Sequence, residues 1–227
     1  MGGTLIKLSN IHKTFRQGSS EVDIFRQLNF VMKCGESVAI VGQSGLGKTT
    51  LLNLIALLDT DYSGQYSLLG KDTSHLTTKE LFSLRMAHIG YMCQYHNLLV
   101  DMTVMENVQM PLGYAGVSKA ERKERSLAIV EKIGLADKAS EKAANLSGGQ
   151  QMRVALARAL VSKPDILIAD EPTGNLDAST SQDIMELFQS INSQGMSMVI
   201  VTHDLEVAHN CNRIVELRDR QLWEVAK

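Results

Sequence analysis

Cysteine, proline and aromatic residues are all scarce in this chain. Its 227 residues include three cysteines, three prolines and 5% aromatic side chains. The cysteines are far apart in the sequence and form no CxxC pair: Cys34, Cys93 and Cys211. We therefore expect neither a disulfide framework nor a zinc site, and we expect a reducing compartment. With so little proline, 44% hydrophobic and 21% charged residues favour a soluble globular domain over a disordered or linker-rich chain.

Long hydrophobic runs are also missing. The longest apolar stretch, Leu51 to Leu58, is interrupted by Asn53, whereas a membrane-spanning helix needs about 20 apolar residues. Met1 to Leu8 lacks the pattern of a signal peptide. The net charge is only −2 and the basic residues are scattered, so no nucleic-acid partner is expected. We expect a cytoplasmic protein unless a partner holds it at a membrane.

Short apolar runs alternate with helical patterns along the chain. Ser37 to Val41, Ile166 to Ala169 and Met198 to Val201 are predicted as short buried strands, and Thr49 to Leu58 as a helix. This alternation predicts an α/β core with a mostly parallel sheet covered by helices. The alternating stretch from Leu5 to Phe30 predicts antiparallel strands added to that core.

The middle of the chain is predicted to be helical. Lys119 to Ile133 carries charged and apolar residues at helical spacing, and Gly149 to Leu160 repeats that pattern. We therefore predict one domain, 1–227, in which a core of about 1–94 and 161–227 receives an inserted helical subdomain at about 95–160.

A phosphate-binding loop follows the first predicted core strand. Residues 42–49 read GQSGLGKT and match GxxxxGK[ST] at every fixed position. Backbone N–H groups approach phosphates closely at glycines, and the start of the next helix favours an anion. We expect Lys48 to contact the β- and γ-phosphates and the Thr49 hydroxyl to ligate Mg²⁺. The nucleotide-binding residues predicted here are Gly42, Ser44, Gly45, Gly47, Lys48, Thr49 and Thr50.

Two acidic residues end the predicted strand Ile166 to Ala169. Asp170 is expected at the carboxyl edge of the sheet, where it can hold Mg²⁺ through water, and Glu171 can accept a proton from the attacking water. The alternative is that both carboxylates cap a turn at Pro172. The phosphate-binding loop upstream favours the catalytic interpretation.

The sequence LSGGQ at 146–150 is a second candidate anion site. Ser147 can cap the following helix, and Gly148 and Gly149 leave its first amides open to an anion. Because the chain already has its own phosphate-binding loop, this segment predicts contact with the γ-phosphate of a partner's nucleotide. The alternative is a bare capped turn.

With these motifs in this order, the chain resembles the ABC ATPase family, whose LSGGQ signature acts in trans. The resemblance runs from about Leu5 to Val215. It implies the ABC ATPase fold, which is a P-loop NTPase (RecA-like) core with an antiparallel β subdomain and a helical insertion. It also implies hydrolysis of ATP with Mg²⁺ and formation of a homodimer on ATP binding.

The resemblance also implies roles for individual residues. The catalytic set is Lys48, Gln94, Glu171 and His203, and the metal set is Thr49, Gln94 and Asp170. The residues implied to bind the nucleotide beyond the phosphate loop are Phe15 on the adenine, Ser147, Gly148, Gly149 and Gln150 across the dimer, and Asp177 in the interface loop. Taken alone, Phe15 and His203 have a simpler interpretation as core residues on strands.

Within the family the chain looks closest to the MacB/LolD/FtsE-like group. The segments that indicate this are LLN at 51–53, ENV at 106–108, PL at 111–112 and ADEPTGNLD at 169–177. Such a subunit is implied to drive an integral, four-span MacB/FtsX-like permease from the inner face of the cell membrane. Export, lipoprotein extraction and mechanotransmission remain open. The alternative is an FtsE-like regulatory ATPase that signals without moving a substrate.

Departures from the group leave the catalytic groups in place. Thr49 replaces the usual Ser but keeps the hydroxyl, Leu46 replaces a small residue, and Met152 stands where Gln is usual. Arg220 occupies a turn position where Gly is common, so the sequence alone does not decide whether a C-terminal hairpin forms. Other P-loop classes fit less well, because the sequence lacks the feature that each requires. A GTPase needs an NKxD segment, and repair proteins of this family need a coiled-coil insertion. Translation-associated members need two ATPase halves.

A methionine-rich segment is the expected contact for the permease. In the family, a short permease helix sits beside the loop that carries the conserved glutamine, and here that region carries Met102, Met105 and Met110. Methionine adapts to partner helices, so we expect at least one of the three to face solvent. The alternative is that all three fill the helical core.

Overall fold

A computed structural model describes residues 3–17, 20–94 and 97–226. The strands are β1 (Thr4–Gln17), β2 (Ser20–Lys33), β3 (Ser37–Val41), β4 (Ser63–Leu68), β5 (Lys71–Asp72), β6 (Ile89–Met92), β7 (Ile166–Asp170), β8 (Ser197–Val201), β9 (Arg213–Arg218) and β10 (Gln221–Val225). The helices are α1 (Lys48–Ile55), α2 (Thr78–His88), α3 (Val104–Tyr114), α4 (Lys119–Lys132), α5 (Gly148–Leu160), α6 (Ala178–Ser193) and α7 (Leu205–His209). Across these ranges no helix is both long and apolar enough to cross a membrane.

A six-stranded sheet forms the centre of the molecule, in the order β10-β9-β3-β8-β7-β6. All of its pairings are parallel except the edge pair β9–β10. Every residue of β7 and β8 is buried, because helices cover both faces of the sheet, and strands buried on both faces are continuous apolar runs. The predicted α/β class and its three core strands are confirmed. Helix α1 ends at Ile55, short of the predicted Leu58.

An antiparallel sheet, β2-β1-β4-β5, packs beside the first half of the core. Its inward side chains, including Phe25 and Tyr66, are fully buried and share one apolar cluster with α1 and β3. The antiparallel strands predicted between Leu5 and Phe30 are therefore confirmed, and the sequence prediction did not include β4 and β5.

Helices α3, α4 and α5 enclose a separate apolar cluster that contains Val104, Val130 and Val154. Another side of α5 packs on the central sheet through Leu156. The predicted helical segments of α4 and α5 are confirmed, while the subdomain limits at about 95 and 160 stay a prediction. Helix α2 was missed by the sequence analysis because none of its residues is buried, so it has little apolar periodicity to detect.

The C-terminal hairpin forms despite the arginine at its turn. Asp219 and Arg220 connect β9 and β10 with φ values of 49° and 64°, and Gln221 pairs with Arg218. A two-residue hairpin turn with two positive φ angles matches the twist of the strands, although glycine adopts it more easily. The Arg220 carbonyl also accepts a hydrogen bond from the Arg26 N–H, at 3.3 Å, which ties the hairpin to β2.

Candidate functional site

The parallel strands bring the predicted site residues to one edge of the central sheet. Strand β3 runs into the phosphate-binding loop, and β7 ends on Asp170. Strand β8 is followed by His203, and β6 by the turn that holds half-buried Gln94. Ligands of open α/β sheets bind outside the carboxyl ends of their strands. This edge is therefore the candidate active site.

The phosphate-binding loop curves tightly between β3 and α1. Gly47 has a φ of 97°, and a Cβ at this position would lie 2.5 Å from Ile24 Cγ2, so only glycine fits. The Lys48 ammonium donates to the carbonyls of Gly42 at 2.7 Å and Gln43 at 2.9 Å. The ammonium thus lies against the loop that the sequence assigns to phosphates. Other predicted loop residues take these places: exposed Ser44 and Gly45 in the turn, and half-buried Thr50 on α1.

Thr49 and Asp170 meet across the gap between α1 and β7. The Thr49 hydroxyl donates to Asp170 Oδ2 at 3.2 Å. Burial raises the pKa of the Asp170 carboxyl above its ordinary value, the Thr49 hydrogen bond opposes that rise, and the neighbouring Glu171 adds to it. Two hard oxygen ligands side by side, one of them a costly buried carboxylate, suit a divalent cation such as Mg²⁺.

Glu171 and His203 form the second contact of the edge. His203 Nδ1 lies 2.9 Å from Glu171 Oε1, and the His203 N–H donates to Glu171 Oε2 at 3.4 Å. Glu171 has a φ of 47°, a left-handed conformation that costs a non-glycine residue about 1–3 kcal/mol. Its N–H donates to the Val201 carbonyl at 2.9 Å, so the neighbouring strand holds this strained residue in place. Both side chains line a cavity of about 690 Å³ that continues between α6 and α7.

The LSGGQ segment starts helix α5. Ser147 is the N-cap of α5, and it forms a reciprocal capping box with Gln150, as the sequence predicts. A Cβ at Gly149 would lie 2.3 Å from Thr180 Cγ2 on α6, so glycine allows the two helices to pack closely. Ser147 and Gly148 are exposed.

Asp177 caps α6, the helix on which the signature segment rests. Its carboxylate accepts hydrogen bonds from the Ser179 hydroxyl at 2.6 Å and from the Thr180 N–H at 3.0 Å. These hydrogen bonds hold the pKa of Asp177 far below its ordinary range. The structure thus gives Asp177 a local role at the start of α6, and its predicted role in a dimer interface stays a prediction.

Phe15 lies on β1 opposite Val22 of β2. Two residues further along β2, Ile24 abuts Gly47 of the phosphate-binding loop, so the hairpin that carries Phe15 packs against that loop. The Phe15 side chain is 46% exposed. It is therefore not a core residue, which was the simpler interpretation of an aromatic residue on a strand. Lys13 on the same strand contacts this ring, and sequence reasoning missed it; the two-residue spacing was the available signal.

Comparison with curated proteins shows the family. The family described as ABC transporter matches residues 25–174. The macrolide export ATP-binding/permease protein MacB of Shewanella sp. is 41% identical over 219 residues, which cover 96% of this chain and 34% of that protein. Its counterpart in Brucella melitensis is 42% identical over 221 residues, 97% of this chain and 34% of that protein. The chain spans about a third of the length of these relatives.

Solved structures agree with this assignment. The ATP-binding cassette MJ0796, in a dimeric post-hydrolysis state with ADP and Pi, matches with a TM-score of 0.89 and 38% identity over 97% of this chain and 98% of that one. A second dimeric structure of MJ0796, described as a bacterial ABC transporter cassette, gives 0.88 and 39%, covering 96% of each chain. The chain therefore belongs to the ABC transporter family, as one of its ATP-binding and ATP-hydrolysing cassettes.

Proposed function

We propose that this chain is the ATPase subunit of an ABC transporter complex of the MacB/LolD type, and that ATP-dependent dimerisation lets it drive a membrane permease. One observation carries the proposal. The phosphate loop, Asp170, Glu171 and His203 share one sheet edge, whereas the signature serine, Ser147, is exposed at the start of α5. In such an arrangement the exposed anion site of one copy can complete the phosphate site of a second copy, and the second copy can do the same for the first.

Within one chain, Lys48 and the loop amides would bind the phosphates, with Phe15 stacked on the adenine. Thr49 and Asp170, whose oxygens are 3.2 Å apart, would hold Mg²⁺ together with Gln94. When bound, Mg²⁺ supplies positive charge that neutralises the β- and γ-phosphates. Among the described residues no group of three or more His, Cys, Asp or Glu side chains is arranged to hold a metal. In the proposed site the remaining ligands would be phosphate oxygens and water.

Glu171 would act as the general base of hydrolysis. Its carboxylate accepts a proton from the attacking water, and a positioned base of this kind contributes about 10²–10⁴-fold to a rate. His203, 2.9 Å from that carboxylate, would orient it and would contact the γ-phosphate. The left-handed backbone of Glu171 supports this role because such strain persists where a particular side-chain direction is required.

In the dimer, Ser147, Gly148, Gly149 and Gln150 would contact the γ-phosphate on the partner subunit. The N-terminus of α5 offers backbone amides and a favourable dipole for an anion. The permease would be a separate or fused membrane protein, because the MacB relatives are named ATP-binding/permease proteins and extend well beyond this chain. Such a partner would hold the cassette at the inner face of the membrane.

The methionine-rich segment is our proposed contact with the permease. Met102 is 39% exposed, so the expectation that at least one of the three methionines faces solvent is met. Met102 and half-buried Met110 line a groove of about 430 Å³ with the exposed Tyr114, while Met105 packs against the helical core. Flexible sulfur side chains beside an exposed aromatic ring suit a short partner helix.

Co-expression with a candidate permease tests this function. The expected result is a complex that purifies together and hydrolyses ATP faster than the cassette alone. Met102→Glu should abolish that stimulation and leave the ATPase activity of the isolated chain within about twofold, since no phosphate-contacting group changes. Leu127→Glu, at an exposed position of α4, is the matched control and should retain stimulation. If Met102→Glu is stimulated normally, the docking assignment is wrong.

A transport assay separates the remaining alternatives. In vesicles that contain the complex, ATP-dependent movement of a substrate supports the MacB/LolD type. A complex whose ATPase activity responds to the permease, with no substrate moved, supports the FtsE-like regulatory alternative.

A further inference from the structure

A buried lysine lies behind the proposed adenine-binding ring. Lys13 is only 2% exposed. Its ammonium donates to Asp59 Oδ1 at 2.9 Å, to the Asp61 carbonyl at 2.5 Å and to Asp61 Oδ2 at 3.3 Å. Burying a charge is costly unless it is paired, and a well-packed apolar side chain usually serves a purely structural role as well or better. The buried cation therefore calls for an explanation beyond packing.

The Lys13 ammonium also contacts the ring of Phe15. Its Nζ lies over the ring, 4.9 Å from the centroid, within the range of a cation–π interaction. Because Lys13 itself is almost wholly buried, the ring face that it covers is closed to any ligand. The 46% exposure of Phe15 therefore belongs to the other face and the ring edge. One face is backed by a positive charge, and the opposite face is open.

The carboxylates that hold Lys13 belong to the segment that follows α1. The Asp59 N–H donates to the Asn53 carbonyl of α1 at 3.1 Å, and Asp59 Oδ1 accepts from the Asp61 N–H at 3.0 Å. Helix α1 begins at Lys48 in the phosphate-binding loop. Lys13 thus connects the strand that carries Phe15 with the helix that carries the phosphate-binding residues.

We propose that Lys13 is a positioning residue for adenine recognition, and that its buried ammonium fixes Phe15 and draws π-electron density from its open face. An electron-poor ring stacks more favourably on the electron-rich purine, since stacking depends on the ring quadrupoles. The link to α1 also sets the ring at a fixed place relative to the phosphates. This inference rests on the proposed contact between Phe15 and adenine, so its test must separate the two.

Calorimetric titrations with ADP and with inorganic pyrophosphate, at equal Mg²⁺, provide the test because only ADP carries the base. Phe15→Leu should weaken ADP binding about 10-fold or more and leave pyrophosphate binding unchanged. Lys13→Met should weaken ADP binding roughly 3- to 10-fold, with pyrophosphate again within twofold. Lys13→Arg, which keeps the cation, should restore most of the ADP affinity. In the Phe15→Leu background, Lys13→Met should add less than a twofold loss.

Each other outcome is decisive. If Phe15→Leu leaves the ratio of ADP to pyrophosphate affinity unchanged, the adenine contact fails and the inference fails with it. If Phe15→Leu acts as expected, three results overturn the role of Lys13 alone: no loss with Lys13→Met, equal loss for both ligands, or the same loss in the Phe15→Leu background. Should Lys13→Met fail to fold by circular dichroism, the double variant Lys13→Met/Asp59→Asn carries the same expectations. It removes the part-buried carboxylate that would lose its partner, while the Asp61 carboxylate is 95% exposed and stays solvated.

Discussion

The phosphate edge of the sheet and the signature end of α5 are built in opposite ways. At the phosphate edge, residues distant in sequence contact each other directly: Thr49 bonds Asp170, and Glu171 bonds His203. At the signature end, the Ser147 side chain bonds locally within its own capping box, and its outer surface is exposed. The phosphate edge is assembled by contacts within the chain, whereas the signature end is fixed at the start of α5 and remains exposed.

The difference between these regions gives a physical reason for the dimerisation that we propose. A helix N-terminus that faces solvent costs little, because water satisfies its amides. The same terminus contributes binding energy only when an anion reaches it. We infer that the chain keeps its proton-transfer and metal-binding groups in one place and leaves the last phosphate contacts to a second copy, so that hydrolysis depends on assembly.

Removing the base should have the largest effect on the phosphate edge. Glu171→Gln keeps the shape of the side chain but cannot take the proton, so steady-state ATP hydrolysis should fall about 10²–10⁴-fold, while ATP binding is retained. Glu186→Gln is the matched control, since Glu186 lines the same cavity on α6, and it should hydrolyse ATP normally. Unchanged hydrolysis in Glu171→Gln would show that another group is the base.

A change at the signature end should impair hydrolysis without changing nucleotide binding by the monomer. Ser147→Arg should lower ATPase activity about 10²-fold, because a missing transition-state contact costs that much, and ATP binding to the monomer should remain. Ser118→Arg is the matched control, since Ser118 is the exposed N-cap of α4. If both arginine variants lose activity equally, helix capping and not phosphate contact explains the loss.

Mixing two inactive chains sharpens the comparison further. Lys48→Ala and Ser147→Arg damage different halves of the composite site, so a mixed dimer keeps one site intact. The mixture should hydrolyse ATP faster than either variant alone. Activity that stays at the level of the separate variants would indicate that each site is completed within one chain or that both must act together.

The smallest expected effect concerns the stability of the phosphate edge. The pKa of Asp170 is raised by burial, so the folded state holds the proton more tightly than the unfolded state. The buried charge is therefore destabilising above the raised pKa, and its cost disappears as the pH falls below the unfolded value. Asp170→Asn should raise the Tm by about 2–4 °C at pH 7, and the gain should vanish at acid pH. A gain that is equal at all pH values would contradict this cause.

The sequence predicted most of this site because its parts are local patterns. The run Ile166 to Ala169 is apolar because β7 is buried on both faces, and it leads directly into the two acidic residues. The residues of the phosphate-binding loop are contiguous in the sequence. Contacts between distant segments were not predictable: nothing in the sequence pairs Lys13 with Asp59, or Gly149 with Thr180. Helix α2 has no fully buried residue, and its inward leucines Leu81 and Leu84 are only partly buried, so its apolar pattern is weak.

Light scattering of the Glu171→Gln chain, with and without ATP, tests the central claim most directly. This variant should bind ATP without hydrolysing it, so the assembled state accumulates. We expect the measured mass to rise from the 25.0 kDa of one chain to twice that value at saturating ATP, and the added Ser147→Arg substitution should prevent the rise. A monomer at saturating ATP would contradict the claim that the exposed signature completes the site of a second copy.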